Sequence, residues 1–81
     1  SVLKLKEDTL QRIERLTEER MEISRLIDKL ANPFERSVLR LFYLNDLDVW
    51  GVAEEIGKSK ASIYRAKKAA IEHLAGMVNG D

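Results

Sequence analysis

The stretch Leu47 to Lys68, L-D-V-W-G-V-A-E-E-I-G-K-S-K-A-S-I-Y-R-A-K-K, constrains this chain most, because it holds two helix starts separated by one glycine. Asp48 suits an N-cap, its carboxylate accepting from backbone N–H groups that otherwise lack partners. Val49, Val52, Ala53 and Ile56 then fall at i, i+3, i+4 and i+7, one apolar stripe on a short helix. Gly57 follows, the residue that most easily takes the left-handed conformation ending a helix. Ser59 is placed to cap again, and Ile63 supplies the next inward contact. Ala53 is small where the two helices should cross, and Ile63 points back into that crossing. Two short helices joined by a tight glycine turn form a helix-turn-helix, whose second helix is able to enter a DNA major groove. The plainer reading of the same residues is a helical hairpin within a small bundle.

The rest of the chain reads as helix on both sides. Residues 2 to 30 contain no Gly or Pro, and Ile13, Leu16, Ile23, Ile27 and Leu30 lie near one side of a single long helix. Asp8–Arg12 and Glu22–Arg25 are spaced to support it. The stripe breaks at Lys6, Thr9 and Arg20, so a two-stranded coiled coil is one alternative. The other is that Ile23 to Leu30 packs on the domain while the first half projects or pairs with a partner. Asn32-Pro33-Phe34-Glu35 marks a sharp boundary. Asn32 suits the N-cap, Pro33 the first helical position, and Glu35 a return bond to the cap's N–H. Phe34, Val38, Leu41 and Phe42, widened by Leu39 and Leu44, give that helix its apolar face, and Asn45 is expected in the left-handed conformation that ends it. The last helix should start after Ser59 and run past Leu74, turning Ile63, Ala66 and Ala70 inward and offering Ile71, Leu74, Met77 and Val78 to the N-terminal helix. Asn79-Gly80-Asp81 reads as a frayed end. The expected architecture is all-α: a long N-terminal helix over 1–31, then a compact three-helix domain over 32–81 containing the helix-turn-helix.

The zero net charge conceals a strong division along the chain. Residues 1–31 hold seven basic and seven acidic side chains, residues 32–57 two and five, and residues 58–81 five and two. All five of those last bases lie between Lys58 and Lys68, where no acid occurs. Basic charge is thus concentrated on the expected recognition helix, as phosphate contact requires; otherwise it is only a solvated face.

The run from Pro33 to Leu74 resembles region 4 of bacterial sigma-70-type factors, the domain that reads the −35 promoter element. F-E-R-S-V-L-R-L-F-Y-L, V-A-E-E-I-G-K-S-K-A-S-I-Y-R and K-K-A-A-I-E-H-L carry the resemblance. Small phage-encoded transcription regulators are similar to the same domain. The resemblance covers about half the chain and stops short of the N-terminal 31 residues. The typical domain has polar residues where Trp50 and Gly51 stand, and more arginine near the start of its recognition helix. It therefore implies the fold more firmly than any DNA sequence.

The residues expected to meet duplex DNA are Lys58, Lys60, Ala61, Ser62, Tyr64, Arg65 and Lys68. Arg65 has the planar fork that matches guanine O6 and N7. Ala61 suits a thymine methyl, Ser62 and Tyr64 a phosphate or base edge, and Lys58 and Lys68 the phosphates. Trp50 falls off the inward stripe of its own helix; packing on a neighbouring helix is its expected fate, an exposed partner anchor the other. His73 is the sole histidine and cysteine is absent, so no metal or cofactor is expected. No nucleophile has an evident base and no glycine-rich phosphate loop occurs, so the chain does not read as an enzyme.

With 44% hydrophobic and 35% charged residues, these 81 residues suit one soluble helical domain with a modest core. No apolar run approaches the roughly 20 residues that span a bilayer, and no signal-peptide pattern is visible, so a cytoplasmic protein is expected. Ser1 in place of Met reads as a processed or engineered start, or an excised fragment. The leading functional expectation is a sequence-specific DNA-binding transcriptional regulator, its N-terminal helix joining a second copy or RNA polymerase. The alternative is a helical adaptor that docks on polymerase or another regulator without reading DNA.

Overall fold

The computed structural model describes the backbone of residues 2–79 and the side chains of residues 7–78. Gly80 and Asp81 of the expected frayed end, and the Lys6 side chain at the stripe's first break, lie outside the described residues. The chain is all-α: a long helix, α1 (Val2–Asp28), then α2 (Pro33–Leu39), which runs into a π-helical turn (Arg40–Leu44), α3 (Val49–Ile56) and α4 (Lys60–Asn79). No strand occurs among the described residues.

Local chemistry accounts for the helix ends. Asn32 Oδ1 accepts from the N–H groups of Phe34 (2.8 Å) and Glu35 (3.3 Å), and Pro33, which has no N–H to satisfy, opens α2. Asp48 Oδ1 accepts from Gly51 N–H at 2.9 Å and starts α3. Gly57, at φ 78°, closes it, and the N–H groups of Gly57 and Lys58 both donate to the Ala53 carbonyl at 2.8 and 3.2 Å. Ser59 Oγ accepts from Ser62 N–H at 3.2 Å, capping α4.

Two expectations about α2 are corrected. Glu35 does not bond back to its cap; it is buried, and its carboxylate turns to His73 on α4. The helix also ends differently, because the π-helical turn adds a residue: Asn45 N–H donates to the Arg40 carbonyl, five positions back. The left-handed residue therefore comes one later, at Asp46 (φ 56°) and not Asn45, and Leu47 N–H closes the corner on the Leu41 carbonyl at 3.0 Å. Arg20 of α1 reaches this corner, donating to the Leu44 carbonyl and lying 3.7 Å from the Asp46 carboxylate. The arginine that interrupts the apolar stripe thus meets the negative end of another helix.

Two clusters make the core. Val38, Val52 and Ile63 join α2, α3 and α4, packed around by Phe34, Leu41, Phe42, Leu47, Ala53 and Ile56 among others. Ile27, Leu30, Leu39 and Ala70 join the end of α1 to α2 and α4, with Ile23, Leu44 and Leu74 against them. Consecutive residues Val38 and Leu39 enter different clusters, so α2 is the shared wall. Ile23 to Leu30 packs on the body, whereas every residue from Glu7 to Glu22 is exposed and the first half of α1 projects. On α4, Leu74 meets α1 as expected, but Ile71 and Met77 are only partly covered and Val78 is largely exposed, because only the last turns of α1 lie against this helix.

Candidate nucleic-acid interface

α3, the Gly57 turn and the first half of α4 form a continuous surface. The turn is held from both sides, by the Ala53 carbonyl and by the Ser59 cap, so the start of α4 is fixed relative to α3. Ile63 is fully buried against Val52 and Val38, which turns the opposite side of α4 outward. That side carries Ala61, Tyr64, Arg65 and Lys68 at i, i+3, i+4 and i+7, all exposed. Lys58 and Lys60 are exposed at the turn and at the first residue of the helix. Ser62 is half-buried, and its hydroxyl already accepts from Ser59 Oγ at 3.1 Å and from Arg65 Nη2 at 3.4 Å. Arg65 is thereby oriented by a neighbour one turn back on its own helix.

Electrostatically this face is uncompensated. Among the described residues the ion pairs are Arg20–Asp46, Arg40–Asp28 and His73–Glu35, and none involves Lys58, Lys60, Arg65, Lys67 or Lys68. Lys67 is turned toward the body, its ammonium 4.5 Å from the Phe42 ring centroid and 5.7 Å from that of Tyr43. It differs in this from Lys68, which points to solvent.

Trp50 corrects its expectation: it does not pack under a neighbouring helix but is 64% exposed, with Lys60 Nζ 3.5 Å above its ring. Its place off the inward stripe was the available signal, and the pairing across the turn had none. The Glu35–His73 pair was equally hidden, being 38 positions apart. No group of three His, Cys, Asp or Glu side chains fit to hold a metal occurs among the described residues, and no helix there is long and apolar enough to cross a membrane.

The fold and this surface define a small all-helical protein with a projecting N-terminal helix and an exposed basic face on its last helix. The chain belongs to the DUF1492 family, described as proteins of unknown function, which it matches over residues 1–75. No curated protein and no solved structure matches it.

Proposed function

We propose that this protein is a sequence-specific DNA-binding transcriptional regulator in which the first half of α4 lies in the major groove. The observation that carries the reading is the exposed stripe Ala61, Tyr64, Arg65 and Lys68, flanked by Lys58 and Lys60, with no carboxylate partner on any of its bases among the described residues. Four cations, Lys58, Lys60, Arg65 and Lys68, without a carboxylate partner among the described residues are suited to displacing counterions from a polyanion. The tight turn after α3 and the small stripe residue Ala61 leave room for backbone approach. The resemblance to sigma region 4 supports a reading helix at this place; in this proposal Arg65 faces base edges, Ser62 and Tyr64 base edges or phosphates, and Lys58, Lys60 and Lys68 phosphates.

The projecting half of α1 supplies the assembly surface in this proposal. Leu10, Ile13, Leu16 and Met21 each keep at least 50% of their surface exposed, which a lone helix in water gains nothing from. A second copy paired there places two reading helices on one duplex, as two-fold regulators do. The same stripe also favours the other reading, an adaptor helix on RNA polymerase that leaves DNA unread. Binding to duplex DNA across a salt series separates them. A regulator of this kind binds with a steep inverse salt dependence; an adaptor shows no duplex binding at any salt concentration.

A further inference from the structure

Trp50 is the single tryptophan of the chain, and it stands in the first turn of α3 with nearly two thirds of its surface in solvent. Asp48 caps that turn through Gly51 N–H, and buried Val52 fixes the helix's rotation. Two residues from Val52 is roughly 200° around the helix, so Trp50 is directed away from the core by the same contacts that build it. Its ring then meets Lys60, the first residue of α4, whose Nζ lies 3.5 Å from the ring centroid. A lysine at the entry of a basic face would ordinarily sample many rotamers. Here its ammonium is held over an aromatic face, at the edge of the exposed stripe.

We infer that Trp50 and Lys60 form a second contact point on duplex DNA, a clamp on one sugar–phosphate strand beside the groove in which α4 lies. The ring offers an apolar face to deoxyribose carbons, and the ammonium held over it offers donors to the adjoining phosphate. The inference rests on the DNA-binding reading of α4 and adds α3 to the interface. Trp50 is a positioning residue for Lys60 as well as a contact. The ring holds the cation by its quadrupole while leaving its charge intact. A purely internal role, stapling α3 to α4, predicts different behaviour, and the two separate in solution.

The test uses the full chain as wild type, Trp50→Ala, Trp50→Phe, Lys60→Met and the double variant Trp50→Ala/Lys60→Met. Binding to a fluorescently labelled random-sequence duplex is followed by anisotropy across a salt series, since strand contacts do not depend on base sequence. Excited beyond the absorption band of Tyr43 and Tyr64, intrinsic emission reports on Trp50, the single tryptophan. Expected are a change in Trp50 emission on adding unlabelled duplex, and a weakening of about threefold or more for Trp50→Ala with its salt slope unchanged, because Lys60 keeps its charge. Trp50→Phe should recover part of that loss. Lys60→Met should lower the salt slope by about one, and the double variant should bind more tightly than the product of the two single losses. If wild type binds while its emission stays still and Trp50→Ala binds equally well, the clamp is overturned and the α4 reading stands. A Trp50→Ala variant that melts earlier but binds DNA normally also overturns it, leaving a staple. Wild type that binds no duplex at low salt overturns the proposed function and this inference together.

Discussion

The carboxylate of Glu35 meets the imidazole of His73 at 2.8 Å, joining the first turn of α2 to the second half of α4. Glu35 is 6% exposed, so this bond removes a buried acid's need for water. Replacing His73 with Ala should cost about 1–3 kcal/mol, the penalty of a buried acceptor left without its donor. Replacing both partners with Leu should cost less than the single change, since no polar group is then stranded. Urea denaturation of the two variants measures the difference; equal losses would show that packing, not the bond, joins these helices.

Ala53 packs against the cluster of Val38, Val52 and Ile63 close to the turn. Its replacement by Leu should force α3 and α4 apart and cost about 1–3 kcal/mol by overpacking. A thermal melt unchanged by Ala53→Leu would mean that the crossing has room to spare.

Gly57 has φ 78°, and a Cβ there meets nothing within 4 Å, so the cost of Gly57→Ala is conformational and not steric crowding. About 1–2 kcal/mol is expected, the left-handed penalty of one L-residue. Chemical denaturation reads it directly, and a neutral result would require the turn to have changed its conformation.

The projecting half of α1 should associate. Sedimentation velocity of the full chain is expected to show a concentration-dependent dimer, and Ile13→Glu/Leu16→Glu should leave only monomer. Both residues are more than half exposed, so circular dichroism of the body should be retained. A monomer at every concentration for the unchanged chain removes the second copy as the partner of this face.

Arg65 and Lys68 should fail in different ways when changed to Ala. Loss of a bidentate contact from Arg65 should cost about 1–3 kcal/mol and relax preference at one base pair. Loss of a phosphate contact from Lys68 should weaken all duplexes alike and reduce the salt slope by about one. Both side chains are exposed, so neither change should unfold the protein. Specific and scrambled duplexes across a salt series give the comparison. Should neither variant alter affinity for any duplex, the basic face is solvated surface and the adaptor reading leads.

The starts of α2, α3 and α4, the end of α3 and the outward stripe of α4 were legible in the sequence alone. Asn32-Pro33, Asp48, Gly57 and Ser59 act on backbone groups within four positions of themselves, so their effect is encoded in the adjacent sequence. Ala61, Tyr64, Arg65 and Lys68 share a face because the helix repeats every 3.6 residues, whatever surrounds it. Tertiary structure alone decided which stripes found a wall. The apolar residues from Leu10 to Leu30 look alike, yet burial begins only at Ile23, where α2 and α4 are there to meet them. Glu35 fitted a capping role by spacing and took His73 instead, because the packing of α2 on α4 carried its side chain out of reach of solvent and beside an imidazole. Trp50 came to lie under Lys60 for a related reason. The Gly57 turn sets the start of α4 beside the first turn of α3, and which side chains meet across that gap depends on helix crossing, a distance that no neighbouring residue encodes.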